Sequence, residues 1–97
     1  MLLAIDVGNT HTVIGVFDGE RLVADWRMAS SAHRTADESW LTIRSFCAEA
    51  GLDTGRLTGV GISSVVPDLT DIFEAMARKF LRCEPVTVGA GLDLGFR

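Results

Sequence analysis

Eight consecutive residues, Asp6-Val7-Gly8-Asn9-Thr10-His11-Thr12-Val13, combine the groups needed to hold a polyanion beside a metal ion. Backbone N–H groups turned toward one point form an anion nest. Gly8 lacks a Cβ and lets the backbone approach a ligand closely. Asn9, Thr10 and Thr12 supply short side-chain donors for phosphate oxygens, and His11 can add another. Asp6 supplies a carboxylate that can organise Mg²⁺ through bound waters, because this ion usually keeps several of them. A Gly-Asn pair alone marks any turn, and a preceding Asp can cap it. Here the acid closes an apolar N-terminal run, two hydroxyls follow, and a hairpin signal comes next, which favours phosphate binding. The loop is neither a Walker A motif nor a dinucleotide fingerprint, since Gly-Lys-Ser/Thr and Gly-x-Gly-x-x-Gly are both absent.

The flanking residues read as elements that position this loop. Leu2 to Val7 suits a buried strand with Asp6 near its C-terminal end. Gly8-Asn9-Thr10 is a turn, and the β-branched run Thr12 to Phe17 is a second strand. Asp18-Gly19 signals a tight hairpin turn into a third strand, Arg21 to Met28. Short turns make these three strands antiparallel, since parallel neighbours need a crossover. Thr35-Ala36-Asp37-Glu38 has the form of a capping box opening a helix over 36–50, with Gly51 as its stop. Trp40, Ile43, Cys47 and Ala50 recur at helical spacing, and Leu41 and Phe46 widen the stripe. Val60-Gly61-Ile62 marks a fourth strand, with Ser63-Ser64-Val65-Val66-Pro67 as its exit. Asp68 is expected to cap a second helix whose apolar face is Leu69, Ile72, Phe73, Met76 and Phe80. Its acids, Asp68, Asp71 and Glu74, lie early and its bases, Arg78, Lys79 and Arg82, lie late, which suits the macrodipole. Pro85 to Val88 is a fifth strand, ended by Gly89-Ala90-Gly91. The order is β-β-β-α-β-α-β, an α/β architecture with a mixed five-stranded sheet.

Composition narrows the function classes. The 97 residues suit one small domain, and 47% apolar content argues against disorder. A net charge of -4 gives no basic excess for tracking nucleic acid phosphates. Cys47 and Cys83 lack metal-ligand spacing; they read as reduced, buried cysteines of a cytosolic protein, with a disulfide between them left open. No basic leader precedes the first apolar run, and no run approaches the ~20 residues that span a bilayer. The expectation is a soluble, cytoplasmic protein with no membrane partner. Trp26 and Trp40 read as core or interface fillers, and His33-Arg34 as a solvated entry to the first helix.

Four segments together resemble type III pantothenate kinases, of the actin-like ATPase superfamily. They are Asp6 to Thr10, Trp26-Arg27-Met28 running to Arg34-Thr35-Ala36-Asp37-Glu38, Ile62-Ser63-Ser64-Val65-Val66-Pro67, and Val88-Gly89 to Gly95-Phe96-Arg97. The match keeps the family's order and spacing over essentially the whole chain. The resemblance implies a ribonuclease-H-like (actin-like ATPase) fold, with residues 1–97 as the N-terminal nucleotide-phosphate-binding domain of a two-domain kinase. It implies ATP-dependent phosphorylation of pantothenate, the first step toward coenzyme A, with Mg²⁺, a monovalent cation (K⁺ or NH₄⁺) and a homodimer. Asp6, Val7, Gly8, Asn9, Thr10, His11, Thr12 and Val13 carry over as the ATP phosphate loop, with Asp6 near the metal. Phe96 falls where the family places an aromatic lining the pantothenate pocket; a core aromatic of the fifth strand is the other reading.

One family motif is absent. Gly-x-Asp-Arg, whose aspartate is taken as general base, does not occur, and Asp68, Asp71 and Asp93 do not match it. No catalytic residue is therefore assigned, the base is expected beyond residue 97, and the chain is expected to be a fragment. Ser63 and Ser64 receive a strand-exit role. Two other readings stay open: a non-catalytic nucleotide-binding regulator on the same fold, and another actin-like phosphotransferase.

Overall fold

The computed structural model describes residues 1–89. Its elements are β1 (Leu2–Val7), β2 (His11–Asp18), β3 (Arg21–Ala29), α1 (Ala36–Glu49), β4 (Gly59–Ser64), α2 (Pro67–Met76) and β5 (Val86–Val88). The sheet runs β3-β2-β1-β4-β5. The first three strands are antiparallel neighbours, while β1, β4 and β5 are parallel. The expected mixed sheet and element order are thus both present. Parallel strands point their C-terminal ends the same way, so the exits of β1, β4 and β5 share one edge of the sheet.

Alternation along the strands explains the core. Leu3, Ile5 and Val7 of β1 join Ile14 and Val16 of β2 and Val60 and Ile62 of β4 in one buried cluster. Trp40, Ile43 and Cys47 of α1 and Leu69, Phe73 and Met76 of α2 complete that cluster, so both helices pack on one face. The intervening positions Ala4, Asp6, Val13, Gly15, Gly61 and Ser63 belong to the opposite face.

The first helix is bounded by its own sequence. Thr35 Oγ1 accepts the Glu38 N–H at 3.1 Å while the Thr35 N–H donates to the Glu38 carboxylate at 3.2 Å. At the other end Leu52 N–H reaches Cys47 O at 2.8 Å and Gly51 N–H reaches Ala48 O at 3.1 Å, with Gly51 at φ +70. This is a Schellman stop, and a side chain at that backbone angle is strained. Trp26 stacks on Phe46 of α1 with centroids 5.3 Å apart, and Trp40 stacks on Phe80 at 5.6 Å. Both tryptophans are therefore packing residues.

Several expectations need correction. Asp68 does not cap α2: the N-cap is Val66, with Pro67 at the first helical position and no side-chain cap. Proline's fixed φ and missing N–H suit that position, and Asp68 then favours the helix dipole from the first turn. Leu41, at 58% exposure, and Ala50 lie outside the packed stripe. The helix does not run regularly to Phe80; after Met76 a π turn, Ala77–Leu81, carries it to Arg82, which adopts a left-handed conformation at φ 53. A 3-10 turn, Thr54–Arg56, precedes β4, and Gly19-Glu20 rather than Asp18-Gly19 form the loop between β2 and β3. Cys47 and Cys83 are free thiols.

Candidate phosphate-binding site

The bend between β1 and β2 sits where the parallel strands end, the edge at which ligands bind in open α/β sheets. Asp6 is partly buried one residue before the end of β1. It pairs in register with Val13 of β2 and Ser63 of β4, so these three side chains share the sheet face opposite the helices. Val7 is 1% exposed and points into the core, so it can offer a ligand only its main chain. Its carbonyl accepts the Val65 N–H at 3.1 Å, tying the exit of β1 to the exit of β4.

Gly8 N–H donates to His11 O at 3.0 Å and closes the bend. A Cβ on Gly8 would lie 2.9 Å from that same carbonyl. The close approach of the loop to itself thus already calls for glycine here. Asn9, Thr10 and His11 are exposed at the tip, and Val13 is half-buried.

Thr12 departs from the expected pattern. Its side chain is buried at 1% exposure, and its hydroxyl lies 2.9 Å from Ser30 Oγ. Ser30 Oγ in turn donates to Gly8 O at 2.7 Å, and Ser30 N–H donates to Thr10 O at 2.9 Å. A carbonyl only accepts, so the Ser30 proton belongs to Gly8 O and Thr12 must donate to Ser30. Thr12 therefore serves the loop's interior. Nothing in the local sequence around Ser30 marks it for this role. It is a hydroxyl at a strand exit, and its contacts lie 18 to 22 residues away.

The other expected residues fall into place around this edge. Ser64 Oγ accepts the Val66 N–H at 3.0 Å and shapes the turn into α2, matching the strand-exit role. Ser63, 3% exposed, directs its hydroxyl to Gly89 O at 3.5 Å, at the exit of β5. Arg34 donates to Ala29 O at 2.7 Å beside Ser30, and His33 is exposed. Phe96 and Asp93 lie outside the described residues. Burial pushes the Cys47 thiol up from its ordinary range, and burial and the Glu84 charge push Cys83 up. Neither thiol is primed as a nucleophile.

Among the described residues, no group of three or more His, Cys, Asp or Glu side chains is placed to cage a metal ion. A single carboxylate beside a loop that could take phosphate oxygens would fit Mg²⁺, which is commonly held by one or two carboxylates, waters and substrate phosphates. Among the described residues, no helix is long and apolar enough to cross a membrane.

Solved kinases share the architecture. A ROK hexokinase from Thermus thermophilus superposes with a TM-score of 0.67 at 17% identity, covering 91% of this chain and 34% of that one. A putative N-acetylglucosamine kinase from Porphyromonas gingivalis superposes with a TM-score of 0.63 at 16% identity, covering 92% of this chain and 34% of that one. The fold is therefore the ribonuclease-H-like fold of the actin-like kinases. Two curated type III pantothenate kinases, from Myxococcus xanthus and Geobacter sulfurreducens, are each 45% identical over 95 residues. A third, from Thermomicrobium roseum, is 42% identical over the same length. Each alignment covers 98% of this chain and 37% of the relative, so the chain spans little more than a third of their length. The sequence model of the type III pantothenate kinase family matches residues 2–97, and the chain belongs to that family.

Proposed function

We propose that these residues form the ATP-phosphate-binding part of an enzyme that phosphorylates the primary hydroxyl of pantothenate, opening coenzyme A synthesis. The observation that carries this reading is the braced bend after β1, set beside Asp6 at the C-terminal edge of the parallel strands, in a chain of this family. Residues 1–97 act as the N-terminal domain of a two-domain kinase. Within it, amides of the bend meet the anionic oxygens, Asn9, Thr10 and His11 add side-chain donors from the exposed tip, and Asp6 orders Mg²⁺ through water. When bound, the ion neutralises charge on the transferred phosphoryl group. Val7, Thr12 and Val13 contribute by shaping the bend, and Phe96 lines the pantothenate pocket.

Phosphoryl transfer depends chiefly on positioning and charge neutralisation, so both walls of a cleft are needed. The general base, the ligands of the monovalent cation (K⁺ or NH₄⁺) and the second wall come from the rest of the protein. The working form is a cytoplasmic homodimer. The test is phosphate transfer from ATP to pantothenate by the full-length protein, with and without K⁺. The reading expects pantothenate-dependent ADP release stimulated by the cation; release that ignores pantothenate would sink it.

A further inference from the structure

Ser30 makes three hydrogen bonds around the bend, and their directions matter more than their number. Its hydroxyl donates to Gly8 O at 2.7 Å and its N–H donates to Thr10 O at 2.9 Å. The C=O and N–H of a trans peptide point opposite ways, and no cis peptide occurs among the described residues. With the Gly8 carbonyl drawn to Ser30, the Asn9 N–H points away from β3. With the Thr10 carbonyl drawn to Ser30, the His11 N–H also points away. Among the described residues, the His11 N–H does not bond the Gly8 carbonyl, which a two-residue hairpin would have it do. One side chain and one amide thus draw two carbonyls toward Ser30 and leave two N–H groups facing the opposite way.

We infer that Ser30 is a positioning residue for nucleotide phosphates, holding the peptide planes at Gly8-Asn9 and Thr10-His11 with their N–H groups toward the anion. The inference rests on the proposed phosphate-binding role of the bend. An anion nest loses its purpose if one carbonyl rotates inward, because a negative dipole end then faces the phosphate. Ser30 prevents that rotation at Gly8. Thr12 supports Ser30 by filling its acceptor position, at 2.9 Å and shielded from solvent. The residue therefore acts through the backbone and has no need to touch the ligand.

The test uses the full-length protein and the KM values for ATP and pantothenate. Ser30→Ala keeps the N–H bond to Thr10 but frees the Gly8 carbonyl. The expected result is a rise in the ATP KM of about tenfold, the factor that one ordinary hydrogen bond produces, with the pantothenate KM little changed and the thermal midpoint lowered, because the buried Thr12 hydroxyl loses its acceptor. Ser30→Thr restores the hydroxyl and is expected to bring the ATP KM back. Thr12→Val should raise the ATP KM less, and combining it with Ser30→Ala should add nothing, since Thr12 works through Ser30. If Ser30→Ala fails to fold, Ser30→Cys, similar in size with a weak donor, carries the same expectation. An ATP KM within about twofold of wild type in the alanine or cysteine variant, beside an Asp6→Ala variant that has lost turnover, overturns the role of Ser30 and leaves the bend as a phosphate site. Wild-type rates in Asp6→Ala overturn the underlying reading instead.

Discussion

A hydroxyl in a polar loop can face the ligand or brace the loop, and Thr12 shows how little its type discloses. Its place beside Asn9 and Thr10 suggests a phosphate donor, yet it is sealed against Ser30. Asp6 carries the sharper expectation. In the full-length protein, Asp6→Ala should lower kcat by about a hundredfold or more, the scale seen when one preorganised electrostatic group is removed. The circular dichroism spectrum should stay that of the wild type. The thiols offer a second check: alkylation near neutral pH should label half-buried Cys83 well before Cys47, which is fully buried, and should be slow at both because burial holds the thiols protonated. Comparable rates at the two sites would contradict the packing of α1. Legible from the sequence at this scale were the place of Asp6 near the end of β1 and the turn at Gly8, both set by their neighbours in the chain. Ser30 was not, because its partners come from a strand pairing 22 residues distant.

Elements were read best where their boundary is written locally. The Thr35–Glu38 capping box and the Gly51 stop depend on residues within one turn, and both occur as expected. Thr35→Ala should cost about 1 kcal/mol, measured as a lower denaturant midpoint, with activity per folded molecule preserved. The start of α2 differs from the expectation because Pro67 takes the first helical position, which makes Val66 the N-cap and leaves Asp68 inside the first turn. The π turn and the exposure of Leu41 have no signal in the local sequence; Phe80, within the π turn, stacks on Trp40 of α1. The approach to β5 is pinned by Arg78 and Glu84, whose contact is 2.6 Å. The Arg78 hydrogen bond lowers the Glu84 pKa, so its contribution is present above the ordinary carboxylate range and is lost as pH falls through the lowered value. Both side chains are exposed, so the effect is small. Glu84→Gln should lower the thermal midpoint slightly at neutral pH, and the difference should vanish in acid; a difference that grows in acid would contradict the pairing.

At the scale of the molecule, the sheet gathers three strand exits onto one edge, and the bend after β1 is the part of that edge proposed to hold the anion. The relatives extend well past the length matched here, and the proposed function takes the general base and the second wall of the cleft from the rest of the protein. The 97-residue segment purified alone should therefore release no ADP in a pantothenate-dependent way. The most direct test of the central claim is an amide-resolved NMR titration of the full-length protein with Mg²⁺ and ATP, repeated with AMP. The account predicts that the N–H signals of Gly8, Asn9, Thr10 and His11 shift with ATP and far less with AMP, which lacks the outer phosphates. Saturable ATP binding that leaves those four signals in place would contradict it.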